Sequence, residues 1–333
     1  MFYRVTAALG FLLLTWSATL CADEARDRYA VPEGDVATLV KYIEDLQSFQ
    51  PTTTAEILAY RQKAIGAFKT AADRILQLEK DKTSEAYRLA GAIKFQLRLN
   101  EVAGADEKAQ QTFYKELSQY VDEAKTTTQL DVALANTFCQ ILDQAKNVKL
   151  ATEAYAKFGK QFAKLDDEEL AAFGERMVGV SRRLELPGHK MEVTGETVTG
   201  DKFDWKAYRG KVVLVDYWAT WCGPCVQELP NLKETYAKYH DKGFDVVGIS
   251  LDENRGRLQR FLAQREVPWV CLFKEGSGWN HPMVTYYGID STPTTILVDR
   301  EGKVVAMDLF GSQLDRQLAK MLAPSDEGNA SGE

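Results

Sequence analysis

Cys222 and Cys225, separated by Gly223 and Pro224, are the residues of this 333-residue chain best placed to do chemistry. Two cysteines at i and i+3 in the first turn of a helix can close a short disulfide. A thiol at a helix N-terminus also meets free N–H groups and the positive end of the helix dipole, which favour the thiolate. Such thiols ionise at roughly 3.5–7.5, against about 8.5 when free. Three chemistries fit the pair: dithiol redox exchange, half of a zinc site, and an inert structural disulfide. Zinc would need a second Cys or His pair. Cys21, Cys139 and Cys271 stand singly and His189, His240 and His281 are scattered, so no metal site is expected.

The stretch from Gly210 to Cys225 reads GKVVLVDYWATWCGPC. Val212, Val213, Leu214 and Val215 are a short, β-branched apolar run, which predicts a buried strand. Helix-type sequence resumes at Val226-Gln227-Glu228-Leu229. Gly223 and Pro224 fit the bend, because Pro is tolerated in a first helical turn. The cysteines therefore sit where a buried strand gives way to a helix. Residues 191–203 read as a hairpin and 205–209 as a short helical turn. A second buried strand is expected at 244–250, an amphipathic helix at 255–264, an extended run at 269–273 and a short helix at 283–287. Residues 295–298 and 304–307 flank Asp299-Arg300-Glu301-Gly302 as a hairpin, and a last helix covers 312–322. Such an alternation predicts a mixed sheet covered by helices on both faces.

VDYWATWCGPC, with Pro230 five residues after Cys225, resembles the active-site segment of thioredoxin. The exported TlpA/ResA-like thiol–disulfide oxidoreductases are more similar still. They share Gly210-Lys211 before the strand, a longer middle section, and Thr292-Pro293 in STPTTILVDREGKVV. The resemblance covers about residues 186–322 and implies a thioredoxin fold and a protein disulfide oxidoreductase. It implies that Cys222 is the nucleophile and the more exposed sulfur, and that Cys225 resolves the mixed disulfide. Asp216, mid-strand among apolar residues, falls where thioredoxin has its buried acid. Burial is expected to raise its pKa and let it take the proton of Cys225. Asp252, at the end of the next strand, is a second candidate acid. Pro293 matches the family's cis-proline, with Thr292 supplying hydrogen bonds to a client and Trp221 an apolar contact surface. Pro230 would kink the helix. No cofactor is implied. The partners implied are client proteins with disulfides and a membrane thiol carrier as electron donor. Gly-Pro between the cysteines resembles reducing thioredoxins. A peroxiredoxin-like peroxidase is the first alternative, but Ala219 stands where that pattern needs Thr. A helical partner-binding scaffold with an accessory redox domain is the second.

The remaining sequence sets the context. Hydrophobic residues are 45 % and charged residues 27 %, ordinary for a globular protein. A net charge of −7 without a basic patch argues against a nucleic-acid partner. Arg4 is followed by an uncharged stretch from Val5 to Leu20, and acidic residues begin at Asp23. Residues 1–22 are therefore expected to be a signal peptide or N-terminal anchor, with Cys21 open to lipidation. The folded part is expected in the periplasm or cell envelope, touching membrane only through such an anchor.

Residues 33–185 read as helix, with Pro51 the only proline between Pro32 and Pro187. Leu39, Ile43 and Leu46 form one apolar face, and Ile57, Tyr60, Ile65, Phe68, Ala72 and Ile75 another. Breaks at 50–52, 81–83, 104–106, 126–128 and 166–167 predict six or seven helices, as a bundle or a hairpin array. Cys139 and Cys271 read as buried hydrophobes. The texture changes at Leu186-Pro187-Gly188. The expected organisation is an all-α N-terminal helical domain at 23–185 and an α/β thioredoxin-fold domain at 186–322. An acidic disordered tail is expected at 323–333.

Overall fold

The computed structural model describes residues 27–323. The expected signal peptide or anchor at 1–22, Cys21 with it, and the expected tail after residue 323 lie outside them. The chain divides into two compact units, Met1–Asp81 and Lys82–Glu333.

The first unit holds α1 (Val36–Ser48) and α2 (Thr54–Leu78). Asp35 caps α1 by accepting the Thr38 N–H. Thr53 and Glu56 form a capping box on α2, which satisfies two donors that the helix itself leaves open. The two helices close on Leu39, Ile43 and Leu46 of α1 and on Ala64, Ala67, Ala71, Ala72 and Ile75 of α2. The sequence reading of α2 needs correction here. Ile65 is 61 % exposed, because it lies one helical step from Ala64, off the buried face. A reading weighted toward large side chains misses a face made mostly of alanine.

The second unit begins with α3 (Glu85–Ala103), α4 (Glu107–Asp122), α5 (Gln129–Gln144), α6 (Val148–Phe162) and α7 (Glu168–Leu184). Phe113, Leu117, Phe138, Leu142, Phe158, Phe162 and Met177 meet in their shared core. Cys139 is buried among them, as expected. The break between α5 and α6 was not anticipated. Lys146 turns it with φ 60° and Asn147 caps the next helix on the Leu150 N–H. Neither Gly nor Pro marks it, and the capping Asn is the only local signal.

The sheet follows Leu186. Its strands are β1 (Val212–Trp218), β2 (Phe244–Ser250), β3 (Val270–Leu272), β4 (Thr294–Val298) and β5 (Val304–Met307), in the order β3-β2-β1-β4-β5. β1–β2 and β2–β3 are parallel, while β1–β4 and β4–β5 are antiparallel. The helices are α8 (Gly223–Tyr239), α9 (Arg255–Arg265), α10 (Pro282–Tyr286) and α11 (Gly311–Met321). Side chains alternate across β1. Val212 and Leu214 pack with Leu229 and Leu232 of α8 and with Leu314 and Leu318 of α11. Val213, Val215 and Tyr217 pack with Met283, Val284 and Tyr287 around α10. The result is the expected mixed sheet covered on both faces. Residues 191–203 form no regular hairpin; a single Glu196–Lys202 bridge and a tight turn replace it. Among the described residues, no helix is long and apolar enough to cross a membrane.

Candidate active site

β1 sets the floor of the site. Asp216 is in register with Gly248 of β2 and Thr295 of β4, and Gly248 with Cys271 of β3. In-register partners share a face, so Thr295, Asp216, Gly248 and Cys271 form one row. Gly248 leaves that row open. A Cβ there would stand 3.0 Å from Trp218 Nε1 and 3.1 Å from Cys271 Sγ. Cys271 is buried, and burial pushes its thiol up to about 12.

After Trp218 the chain turns through Ala219-Thr220-Trp221 into α8. Asp252 fixes this turn. Its carboxylate accepts the Thr220 N–H at 2.9 Å, the Ser250 hydroxyl at 2.9 Å and the Thr220 hydroxyl. Cys222 is the N-cap of α8, with extended backbone, and its Sγ accepts the Cys225 N–H at 3.2 Å. Pro224 lies in the first helical turn. Cys222 and Cys225 are joined in a disulfide. The two residues are 5 % and 7 % exposed, so whole-residue exposure does not distinguish them. The bond ties both sulfurs into the same first turn. Helix α8 continues through Pro230 to Tyr239.

Asp216, Cys225, Glu228, Pro293, Thr295 and Phe310 are among the residues lining a narrow cavity of about 20 Å³. That is room for about one water. The Asp216 side chain opens onto this cavity. Burial, and secondarily the neighbouring Glu228, raises its pKa from 3.8 to about 7. No hydrogen bond stabilises the charged form, so desolvation dominates. The Thr292-Pro293 bond is cis. Thr292 is half-buried, with no side-chain hydrogen bond among the described residues. Trp221 is 45 % exposed, and its ring centroid lies 6.2 Å from that of Trp279.

The structure thus brings Asp216, Cys225 and Pro293 to one cavity, with Cys222 bonded to Cys225 and Trp221 next to Cys222 in the chain. Asp252 stands apart, spent on the turn. Sequence reasoning missed Glu228 and Trp279. Glu228 follows Cys225 by three residues, a spacing that places both on one helix face. Its Oε1 accepts the Asn231 amide at 2.6 Å and the Gly311 N–H at 2.8 Å, tying α8 to α11. Trp279 carried no local signal, because only folding brings it to Trp221. His281 is also buried. It caps α10 through Nδ1, and burial lowers its pKa to about 4. Among the described residues, no group of three or more His, Cys, Asp or Glu could hold a metal ion.

A cysteine pair at a helix N-terminus, with Cys225 lining the same cavity as an acid of raised pKa, is suited to thiol–disulfide exchange. The chain is similar to known thiol–disulfide oxidoreductases. The Redoxin family model matches residues 187–321. The thiol-disulfide oxidoreductase ResA of Bacillus thuringiensis subsp. konkukian is 31 % identical over 140 residues, spanning 40 % of this chain and 78 % of the relative. ResA of Bacillus cereus gives the same figures. The thioredoxin domain of a thiol-disulfide oxidoreductase from Bacteroides vulgatus is 30 % identical. That match covers 41 % of this chain and 97 % of the other, with a TM-score of 0.38. The chain belongs to the ResA/TlpA-like thiol–disulfide oxidoreductases of the thioredoxin superfamily.

Proposed function

We propose that this oxidoreductase works outside the cytoplasm, reducing disulfides of envelope proteins through Cys222 and Cys225. The observation that carries the reading is the cavity shared by Cys225 and Asp216. In the reduced enzyme the Cys222 thiolate attacks a client disulfide. One client sulfur bonds to Cys222 and the other leaves as a thiolate, which takes up a proton. Asp216 then accepts the Cys225 proton, across one water in the cavity. The Cys225 thiolate attacks Cys222 Sγ, and the second client sulfur leaves and is protonated. The client gains two electrons and two protons, and the enzyme is left with its Cys222–Cys225 disulfide. A membrane thiol carrier returns both electrons and both protons.

In this reading a client segment lies extended along Pro293 and Thr292, with Trp221 as its apolar neighbour. Residues 1–22 export the chain or anchor it. Residues 186–322 form the catalytic domain, and the helical residues 23–185 restrict which clients reach Cys222. Gly223-Pro224 between the cysteines favours the reducing direction, by similarity to thioredoxins poised near about −270 mV.

The test is capture by the Cys225→Ser protein in an envelope extract. Clients held as mixed disulfides, released by dithiothreitol and identified by mass spectrometry, are the expected result. Absence of captured protein, with the purified wild type also failing to reduce insulin, would overturn the reading.

A further inference from the structure

Helix α7 meets the end of α10 and the segment after it backbone to backbone. A Cβ on Gly179 would fall 2.3 Å from the Thr285 carbonyl oxygen and 2.4 Å from the Gly288 nitrogen. A Cβ on Gly288 would fall 2.3 Å from the Val180 nitrogen and 2.6 Å from the Arg176 carbonyl oxygen. Neither position accepts a larger residue unless backbone moves. Gly288 also has φ +57°, a conformation that side chains disfavour. Two arginines flank the contact. Arg182 donates from Nη1 to the Tyr286 carbonyl at 3.2 Å, and its guanidinium lies 4.5 Å from the Tyr286 ring centroid. Arg183 Nη1 lies 3.9 Å from Asp290 Oδ1.

The held segment runs directly into the cis-proline. Ile289 is buried, and only Ser291 and Thr292 separate Asp290 from Pro293. On the far side Thr294 opens β4 and its hydroxyl donates to the Ser291 carbonyl at 2.8 Å. The loop is thus pinned by α7 at one end and by the sheet at the other.

We propose that α7 positions the client-binding loop, with Gly179, Arg182 and Arg183 as its positioning residues. The inference rests on the reading of Thr292 and Pro293 as client contacts. An extended client binds such a loop by main-chain hydrogen bonds, which weaken steeply when distance or angle is lost. Displacing α7 therefore weakens client binding and leaves thiol chemistry at Cys222 unchanged. The last helix before Leu186 thus acts through the loop and touches neither cysteine.

The test uses the full chain carrying Gly179→Ala, and separately the Arg182→Gln/Arg183→Gln pair, which leaves the glycine contact intact. Two readouts are taken. Hydrogen exchange across residues 288–292 is expected to accelerate about tenfold in Gly179→Ala, through easier local opening. KM for insulin is expected to rise about five- to tenfold in Gly179→Ala and about two- to threefold in the arginine pair, with kcat nearly unchanged. Turnover of a small aromatic disulfide stays within about twofold of wild type, because it needs no extended contact. Unchanged KM in both variants overturns the proposal. Faster exchange with unchanged KM also overturns it, reducing α7 to packing. If Gly179→Ala does not fold, the arginine pair decides by the same criteria. A wild type that fails to reduce insulin would instead refute the client reading, and unchanged exchange would then still overturn the role of α7 on the loop.

Discussion

Two acids on neighbouring strands differ in their surroundings: Asp252 lies just past β2, and Asp216 lies within β1 and is only partly buried. Asp252 is 2 % exposed, and its carboxylate is filled by the Thr220 N–H and by the hydroxyls of Thr220 and Ser250. Among the described residues Asp216 accepts no hydrogen bond, and it faces a cavity that also reaches Cys225. Burial by itself therefore does not mark a proton-transfer group. A carboxylate with its hydrogen bonds satisfied is a structural tie. One left unsatisfied beside a thiol has a displaced pKa and a proton to exchange. Asp252 shapes the turn that carries Trp221 and Cys222, and Asp216 is the acid proposed to take the Cys225 proton.

The largest effects fall on the thiols that the comparison takes as given. Cys222→Ser should abolish disulfide reduction, by at least about a thousandfold, and form no mixed disulfide. Cys225→Ser should lose turnover equally but accumulate the mixed disulfide, visible on a non-reducing gel. Accumulation in Cys222→Ser instead would exchange the two roles.

Next in size is the cost of charging Asp216. Its folded pKa, about 7, lies above the usual 3.8, so the folded state holds an extra proton between those values. Stability from this group is therefore full below about pH 4 and lost as pH rises toward 7. The shift corresponds to at most roughly 4 kcal/mol. Asp216→Asn should be more stable than wild type at pH 8, by up to that amount, and the gap should close near pH 4. Urea unfolding at both pH values measures it, and an equal gap at both would show that Asp216 is not held neutral by burial.

Asp252→Ala sharpens the contrast from the other side. Removing the acceptor of three donors should cost about 1–3 kcal/mol, yet leave the apparent pKa of the resolving step near that of wild type. A vanished pKa near 7 in this variant would place proton transfer at Asp252. The smallest effect is expected at Cys271, whose buried thiol stays protonated at neutral pH. Cys271→Ala should change turnover by less than about twofold. Maleimide labelling of the folded wild type at Cys271 would contradict that burial.

Much of this was legible in the sequence because the signals are local. Val212–Val215 announced β1, the Cys-x-x-Cys announced the start of α8, and Asp299-Arg300-Glu301-Gly302 announced the β4–β5 turn. Asp216 was legible as an acid inside an apolar run. Two kinds of feature were not. The face of α2 is built from alanines, which weigh little in an apolar pattern, so Ile65 was placed inward when it points out. Trp279 beside Trp221, and Gly179 against Gly288, are separated by long stretches of chain, and no spacing rule links them. Glu228 lies between these cases. Its i+3 relation to Cys225 was visible, but only the cavity gives that relation a meaning.

The most direct test of the account follows one turnover in time. Stopped-flow measurement of mixed-disulfide formation and release, from pH 5 to 9, separates attack by Cys222 from attack by Cys225. The account predicts that Asp216→Asn leaves formation within about twofold, slows release by about ten- to a hundredfold, and removes a rise in release centred near pH 7. Equal slowing of both steps, or a release profile identical to wild type, would remove Asp216 from the mechanism.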